Sequence, residues 1–466
     1  MRKTFKILLF PIVLFILTCG LVACANNNSK TVVDGLVLEL INDDSGYSVV
    51  DYEGTNTVVV IPKEHNGIQI ISIGAGAFDE CASLESITIP DGVESIGGST
   101  FYKCASLTTI TIPDSVTSIG GQAFSGTAYY NDESNWEDGV LYIGNHLIES
   151  KVTITGSYVI KSGTKSIADG AFFNCTLLTS ITMPDSITRI GSNTFSGCIL
   201  LDGVTIPNSV NSIERCAFED CDSMSSITIP NGVTNIGKHA FSDCESLASI
   251  NVEIDNINYK SIDGNLYSKD GKTLIQYAMG KGLTSFIIPD GTTRVESKAF
   301  YGCDSLSSIT IPDSMESVGQ GAFQFCYDLN KVYYLGTINQ WVEIDFEYSS
   351  SNPLQQTAGL YINGAIVEDV VLTTATKISS NAFYGYDALI SVSISDNVTS
   401  IGSSAFRNCK SLASIAIPDS VTSIGYSAFE NCTNLKTIYC EAISKPEGWH
   451  KNWKDDKVSV VWGYKE

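Results

Sequence analysis

One stretch of the chain decides the fold: Val93-Glu-Ser-Ile96-Gly97-Gly-Ser-Thr-Phe101-Tyr-Lys-Cys104-Ala-Ser-Leu107-Thr-Thr-Ile110-Thr-Ile112-Pro113. Its pattern recurs along the sequence and is marked each time by a Phe that follows Ala or Thr. Neighbouring markers are 23 residues apart, except at three gaps of 48, 59 and 60 residues. The markers are Phe78, Phe101, Phe124, Phe172, Phe195, Phe218, Phe241, Phe300, Phe323, Phe383, Phe406 and Phe429. A fixed period of this length is typical of a solenoid in which each unit forms one coil.

Each part of the unit predicts a local structure. Leu107, Ile110 and Ile112 alternate with threonines, which predicts a short strand with one buried face. Pro113-Asp114-Ser115 predicts a turn, because Pro presets φ and Asp bonds its own backbone. The Ala-Phe-x-x-Cys segment is too short for a stable helix and predicts a single 3₁₀ turn. One coil cannot bury enough surface alone, so stacking must supply the remaining stability.

The three long gaps predict β-hairpin insertions near residues 125–157, 251–282 and 334–368. Asn363-Gly364 in the third gap is a favoured tight-turn pair, and Gly144-Asn145 has the same role in the first. Residues 74–440 are therefore predicted to form one mainly β repeat solenoid with short 3₁₀ or turn segments. Residues 34–73, including Val58–Ile61, are predicted to form an N-terminal cap, and residues 441–466 with Trp449 and Trp453 a C-terminal cap.

The repeated motif Ile-Gly-x-x-Ala-Phe-x-x-Cys-x-x-Leu-x-x-Ile-x-Ile-Pro resembles the BspA-like, or Treponema-type, leucine-rich repeats of bacterial surface proteins. The resemblance covers about residues 70–440 of this chain. It implies a solenoid whose concave face is built by the Leu-x-x-Ile-x-Ile strands. It also implies adhesion to host matrix proteins, other bacteria or cell-surface ligands as the leading role.

The N-terminus has the pattern of an export signal. Arg2, Lys3 and Lys6 precede an apolar run, and Leu21-Val22-Ala23-Cys24 resembles a bacterial lipobox. The resemblance implies a lipoprotein signal peptide at 1–23, lipidation of Cys24 and a polar tether at 24–33. Ordinary cleavage at a small residue is the alternative. No second apolar run is long enough to span a membrane, so we expect an exported chain held at the cell surface or membrane outer face by its lipid.

Composition excludes several classes of function. Of 466 residues, 28 are Lys or Arg and 51 are Asp or Glu, which gives a formal charge of −23. This charge argues against nucleic-acid binding, because phosphates require Lys and Arg. Only four His are present, and neither His-Glu-x-x-His nor Gly-x-Ser-x-Gly occurs. The outward strand positions carry mainly Ser and Thr instead of catalytic groups. We expect no enzyme activity, no cofactor and no metal.

Ten repeat units place a Cys three residues after the marker Phe. Metal binding or disulfides are one interpretation, and a buried ladder of free thiols is the other. The 23-residue spacing favours the ladder, since side chains in register point the same way and do not cross. Cys216 and Cys440 lie outside this register and have no assigned role. The ladder positions are Cys81, Cys104, Cys175, Cys198, Cys221, Cys244, Cys303, Cys326, Cys409 and Cys432.

Two other features have both a structural and a functional interpretation. Stacked Asp residues in the Pro-Asp turns could bind Ca²⁺, but turn chemistry alone explains them. Aromatic residues concentrate in the insertions, where they either cover local core or form binding hot spots. The candidate ligand-binding residues are Trp136, Tyr333, Tyr334, Trp341 and Tyr348.

The sequence thus predicts a non-catalytic, lipid-anchored leucine-rich repeat protein that binds a protein or another macromolecular ligand. A glycan-binding module or a structural protein of the cell envelope is the alternative.

Overall fold

The computed structural model describes residues 30–41, 45–356 and 358–465. They form a β-solenoid of about 18 turns with a period of about 23 residues and little helix. The predicted signal peptide, with Cys24, lies outside the described residues. No helix in the described part of the chain is long and apolar enough to cross a membrane.

Each coil contributes strands to two parallel ladders. The first, which we call the wide ladder, is built from the Leu-x-x-Ile-x-Ile segments. Ile110 pairs with Ile87 of the preceding coil, as the period requires. The ladder runs in five sections: Val58–Val60, Ser86–Thr88, Thr109–Thr111; Gly156–Val159, Leu178–Thr182, Gly203–Thr205; Ser226–Ile229, Ser249–Val252; Ser285–Ile287, Ser308–Ile311, Lys331–Tyr334, Gly359–Ile362, Ala365–Ile366; and Asp369–Val371, Ser391–Ser393, Ser414–Ile417, Thr437–Cys440, Ser459–Trp462.

The second, or narrow, ladder follows the Pro-Asp turn and uses mostly two-residue strands ending in Ile or Val. The predicted turn is present and is closed by a backbone bond, as between the Val116 N–H and the Pro113 carbonyl at 3.1 Å. Its sections are Thr31–Val33, Leu36–Leu40, Tyr47–Tyr52, Glu64–His65, Ile68–Ile73, Ser95–Ile96, Ser118–Ile119; Trp136–Glu137, Val140–Ile143, His146–Ser150, Ser166–Ile167; Arg189–Ile190, Ser212–Ile213, Asn235–Ile236; Tyr259–Ile262, Asn265–Ser268, Thr273–Gln276, Arg294–Val295, Ser317–Val318, Asp345–Phe346; and Lys377–Ile378, Ser400–Ile401, Ser423–Ile424.

The marker Phe lies in a third set of bonds between coils, which we call the turn ladder. The N–H of Phe78 donates to the carbonyl of Thr100 at 2.9 Å, whereas the next N–H, of Asp79, donates within its own turn to Gly76 at 2.9 Å. Alternate N–H groups therefore bond to the next coil and to the same coil. Positive φ two residues before and two after the Phe, as at Ser99 and Lys103, produces this alternation. The segment is not the single 3₁₀ turn that the sequence predicted.

The marker Phe rings stack along the interior of the solenoid. Phe78, Phe101 and Phe124 lie 5.2 and 5.3 Å apart between ring centroids, with nearly parallel planes. Phe406 and Phe429 repeat the arrangement at 5.2 Å, and Trp453 of the C-terminal cap covers the last ring at 5.8 Å. Each ring is fully buried, and burial of a Phe contributes about 1.5–3 kcal/mol.

The hairpins predicted in the three gaps are present. Val140–Ile143 pairs antiparallel with His146–Ser150, Asn265–Ser268 with Thr273–Gln276, and Gly359–Ile362 with Ala365–Ile366. The second insertion has an additional strand, Tyr259–Ile262. Short helices complete the described chain: α-helices Ala128–Asn131 and Ile338–Trp341, and 3₁₀ helices Glu133–Asn135, Met279–Lys281, Ser349–Ser351 and Pro353–Gln356.

Two predicted boundaries at the N-terminus are wrong. Thr31–Val33, assigned to the tether, pairs antiparallel with Leu36–Leu40 and is part of the cap sheet. Val58–Val60, assigned to the cap hairpin, pairs in parallel with Ser86–Thr88 and is already the first strand of the wide ladder. A run of valines does not distinguish a cap strand from a repeat strand, because both have one buried face.

Candidate functional site

An exposed row of side chains crosses the wide ladder beside the third insertion. We call it the tyrosine row, and the strand register places its members directly opposite one another. Its members, in order across the strands, are Ile287, Thr310, Tyr333, Tyr361 and Ile366. Successive side chains along a strand point to opposite faces, so the row faces outward while the residues beside it enter the core.

The two tyrosines form the centre of this row. The ring centroids of Tyr333 and Tyr361 lie 5.3 Å apart, and both side chains are half-buried. Apolar residues lie at both ends, with Ile287 66% exposed and Ile366 42% exposed. A Cβ on Gly359 would come within 3.0 Å of the Tyr361 ring, so glycine leaves room for the ring on the strand. Aromatic rings with apolar neighbours and free hydroxyls suit a binding surface.

Two of the five predicted ligand-binding residues are not at the surface. Trp341 is fully buried, and its Nε1 donates to the Ala382 carbonyl at 3.1 Å. Tyr334 is buried too and packs edge-on against Trp341, because it follows the outward Tyr333 on the same strand. The prediction of these two as contact residues is wrong, since a ligand cannot reach them in the folded protein.

The other predicted residues do not form one site. Tyr333 lies in the tyrosine row. Tyr348 is 54% exposed and follows the narrow-ladder strand Asp345–Phe346, on another side of the coil. Trp136 belongs to the first insertion, where its Nε1 donates to the Tyr130 carbonyl at 2.8 Å. Tyr361 was not predicted. Its outward position, equivalent to Tyr333 in Lys-Val-Tyr-Tyr and Gly-Leu-Tyr-Ile, is the sequence signal that could have identified it.

The first insertion opens a cleft of about 520 Å³ in the turn ladder. Ser150 takes the backbone place of a marker Phe, since its N–H donates to the Ala171 carbonyl at 2.7 Å. It has no ring to fill the space between Phe124 and the next coil. Val152 and Phe173 form apolar walls of the cleft, and Glu149 contributes a carboxylate.

The carboxylates of this cleft are held by donors. Glu149 accepts from the Tyr130 hydroxyl at 3.0 Å, and burial raises the pKa of its carboxyl. Asp169 accepts from Arg189 at 2.8 Å and from the Ser192 N–H at 3.1 Å. The cleft can therefore accept an apolar group beside an acid, while its charged residues already stabilise the chain.

A buried serine–histidine pair also lies in the first insertion. Ser166 Oγ and His146 Nδ1 are 2.9 Å apart, and His146 Nε2 is 3.1 Å from the Pro113 carbonyl. A carbonyl only accepts, so Nε2 carries the proton and Ser166 donates to Nδ1. Both side chains are buried, and burial lowers the pKa of His146. The pair links the hairpin to the preceding Pro-Asp turn.

The ladder cysteines described by the structure are free thiols, as predicted. Most donate to the carbonyl of the marker Phe in the preceding coil, for example Cys221 Sγ to Phe195 at 3.2 Å. Burial raises the pKa of Cys198 to about 12. Within the described chain, one group of His, Cys, Asp and Glu side chains has ligand atoms close enough for a metal ion: Cys216, Glu219 and His239.

Comparison with known proteins agrees with this architecture. A family model, "BspA type Leucine rich repeat region (6 copies)", matches residues 59–176, 142–270, 276–357 and 366–445. No curated protein matches the chain.

Three similar solved structures come from bacteria. A leucine-rich cell surface protein of Faecalibacterium prausnitzii is 29% identical over 94% of this chain and 98% of its own, with a TM-score of 0.43. A leucine-rich repeat protein of Bacteroides ovatus is 26% identical over 93% and 99%, with a TM-score of 0.34. The pneumococcal vaccine antigen PcpA is 18% identical over 93% of each chain, with a TM-score of 0.39. The family match extends over most of the solenoid, and the chain belongs to the BspA-type leucine-rich repeat family.

Proposed function

We propose that this protein is a lipid-anchored adhesin that binds a protein ligand at the cell surface through the tyrosine row and has no catalytic activity of its own. The family is one of repeat scaffolds that are typically non-catalytic and is consistent with binding or adhesion. A rigid solenoid suits this role because it presents an extended surface that the partner does not have to order.

The observation that carries the proposal is the pair of outward tyrosines flanked by exposed isoleucines. Tyr and Trp dominate binding hot spots, since they bury a large area for few rotatable bonds. The neighbouring row, with Ser285, Ser308 and Lys331, supplies a polar rim. A central apolar cluster with a polar rim is the usual arrangement of a protein-binding surface.

Membrane attachment is proposed through diacylglyceryl transfer to the Cys24 thiol, with cleavage after Ala23. The lipobox-like Leu21-Val22-Ala23-Cys24 supports this proposal. Removal of residues 1–23 would change the formal charge from −23 to about −26, so an anionic lipid surface repels the body of the protein. Replacement of Cys24 with Ala should abolish incorporation of a labelled fatty acid, because no thiol remains to accept the lipid.

The test compares binding of the wild-type protein and the Tyr333→Ala/Tyr361→Ala variant to a panel of matrix and bacterial surface proteins. We expect the double variant to bind at least about tenfold more weakly, as for a hot-spot pair. Tyr327→Ala is the matched control, because Tyr327 is 64% exposed outside the tyrosine row. Equal binding by the double variant would refute the role of the row. Binding to a glycan array but to none of the proteins would favour the glycan-binding alternative. Binding to neither the proteins nor the glycans would favour a structural role in the cell envelope.

A further inference from the structure

Two residues outside the cysteine ladder are brought together by the repeat. Cys216 and His239 are 23 residues apart, and each precedes its marker Phe by two positions. Both have positive φ, 55° and 64°, at the first of the two left-handed positions of the turn. Stacked strands lie about 4.8 Å apart, so residues in this register are neighbours. Glu219 directly follows Phe218, and its carboxylate lies close to Cys216 and His239.

The three side chains offer a thiol, a carboxylate and an imidazole, with ligand atoms within 4.8 Å of one another. His239 Nδ1 is buried and has no hydrogen-bond partner among the described residues. A buried, unpartnered ring nitrogen is unfavourable for folding, because it loses its bonds to water. A bound cation would remove that cost.

We propose that Cys216, Glu219 and His239 form a binding site for Zn²⁺, with the fourth coordination position open. Thiolate, imidazole and carboxylate are the usual zinc donors, and Zn²⁺ takes four of them in a tetrahedron. Bond lengths of about 2.0–2.3 Å place tetrahedral ligand atoms roughly 3.5 Å apart. The side chains must therefore close by about 1 Å, which rotation about their own bonds allows.

Without a metal ion, a neighbouring cation balances the negative charge of Glu219. Lys298 Nζ lies 2.7 Å from Glu219 Oε1 and also lies over the Tyr301 ring at 4.7 Å. A thiol must lose its proton to bind a metal, because the thiolate is the ligand. Zn²⁺ would displace the ammonium from Glu219, and the thiol proton would pass to solvent as the Zn–S bond forms. Lys298 thus competes with Zn²⁺ for the Glu219 carboxylate.

One of the three side chains borders a cleft. His239 lines a second cleft, of about 260 Å³, where the second insertion interrupts the turn ladder. Lys238, Gln276 and Glu296 lie in the same cleft. Water would complete the fourth coordination position.

The experiment titrates the purified, chelator-treated protein with Co²⁺ and Zn²⁺. We expect binding of one ion, with a thiolate-to-cobalt charge-transfer absorption that Zn²⁺ abolishes. Cys216→Ser should remove that absorption, and His239→Asn should weaken Zn²⁺ binding at least about tenfold. Asn suits a left-handed position, so His239→Asn is expected to fold normally.

Two further variants make the test decisive. Lys298→Gln should bind Zn²⁺ more tightly than the wild type, a gain that misfolding cannot produce. Cys440→Ser, which changes a buried cysteine outside the cluster, should bind as the wild type does. Absence of cobalt binding, or an unchanged spectrum in Cys216→Ser, would overturn the proposal.

Discussion

At the scale of single residues, the ladder cysteines satisfy backbone carbonyls that the coil would otherwise bury. The Phe78 carbonyl accepts from the Cys104 thiol at 3.0 Å and from the Cys81 N–H at 3.2 Å. Where Thr127 replaces the cysteine, its hydroxyl donates instead to the carbonyl of the Phe in its own coil, Phe124, at 2.9 Å. The thiol is thus both a small apolar filler and a donor.

Thiol reactivity should reflect this burial. The structure describes 12 free cysteines, of which 11 are buried, and burial raises the pKa of Cys104 to about 12. The thiolate is the reactive form, so a thiol reagent near pH 8 should label few sites in the native protein. In unfolded, unreduced protein at least about ten should react, and fewer than about eight would indicate disulfides.

The pattern of residues predicted the ladder but not every outward side chain. The 23-residue period was sufficient to place the cysteines and marker phenylalanines in the core. The same register placed Tyr333 among the outward positions, but Tyr334 was still included among the candidate ligand-binding residues because it is aromatic. The sequence also left Cys216 unassigned. Its neighbour His239 looks like an ordinary turn residue until the coils are stacked.

At the scale of elements, each insertion takes the place of a coil in the turn ladder, and the insertions differ in the donors that bond to the next coil. The first two use the backbone: Ser150 and Tyr277 donate to Ala171 and Ala299, at 2.7 and 3.0 Å. The third uses side chains, since Trp341 Nε1 and Asn352 Nδ2 both donate to the Ala382 carbonyl, at 3.1 and 2.9 Å. Trp341 therefore occupies space that the first insertion leaves as a cleft.

Trp341→Ala should destabilise the fold instead of acting on ligand contacts. Loss of a fully buried indole is expected to lower the free energy of unfolding by about 3–5 kcal/mol, measured by urea denaturation. Tyr348→Ala, at an exposed position of the same insertion, should change it by no more than about 0.5 kcal/mol. Equal denaturation midpoints for Trp341→Ala and the wild type would contradict this role.

The positions of the hairpins could be predicted from the gap lengths and the turn residues. The packing of the hairpins could not. Val140–Ile143 is buried on both faces, a pattern that a strand at a solvent-facing edge would not have. Alternation of polar and apolar residues reports one buried face only. A strand inserted between two coils has two buried faces, so its sequence does not show the alternation of polar and apolar residues.

At the scale of the whole molecule, the hairpins divide one continuous body into three hydrophobic cores. Leu141, Ile143 and Ile148 pack into the first core, while Val140 and Leu147 pack into the second. In the second insertion, Leu266 belongs to the second core and Tyr267 to the third. The first and second insertions therefore each form the partition between two neighbouring cores, whereas the third lies within one core.

Thermal unfolding should proceed in more than one step. Repeat arrays have mainly nearest-neighbour coupling, and here that coupling passes through only two hairpins. We expect the calorimetric enthalpy to exceed the van't Hoff enthalpy, which is the sign of non-two-state unfolding. Substitution of Leu141 with Ala should separate the transitions further. A single transition with equal enthalpies would show that the three cores unfold together.

The alternation of bonds in the turn ladder has a consequence for how such chains change in length. Between uninterrupted repeats, each coil gives the same N–H groups of this segment to the coil after it and receives the same groups from the coil before it. Tandem duplication or deletion of a complete 23-residue segment therefore leaves all donors and acceptors matched across the new junction. A gain or loss of any other number of residues would put the marker Phe out of register unless the extra residues form an insertion, as they do in the gaps of 48, 59 and 60 residues.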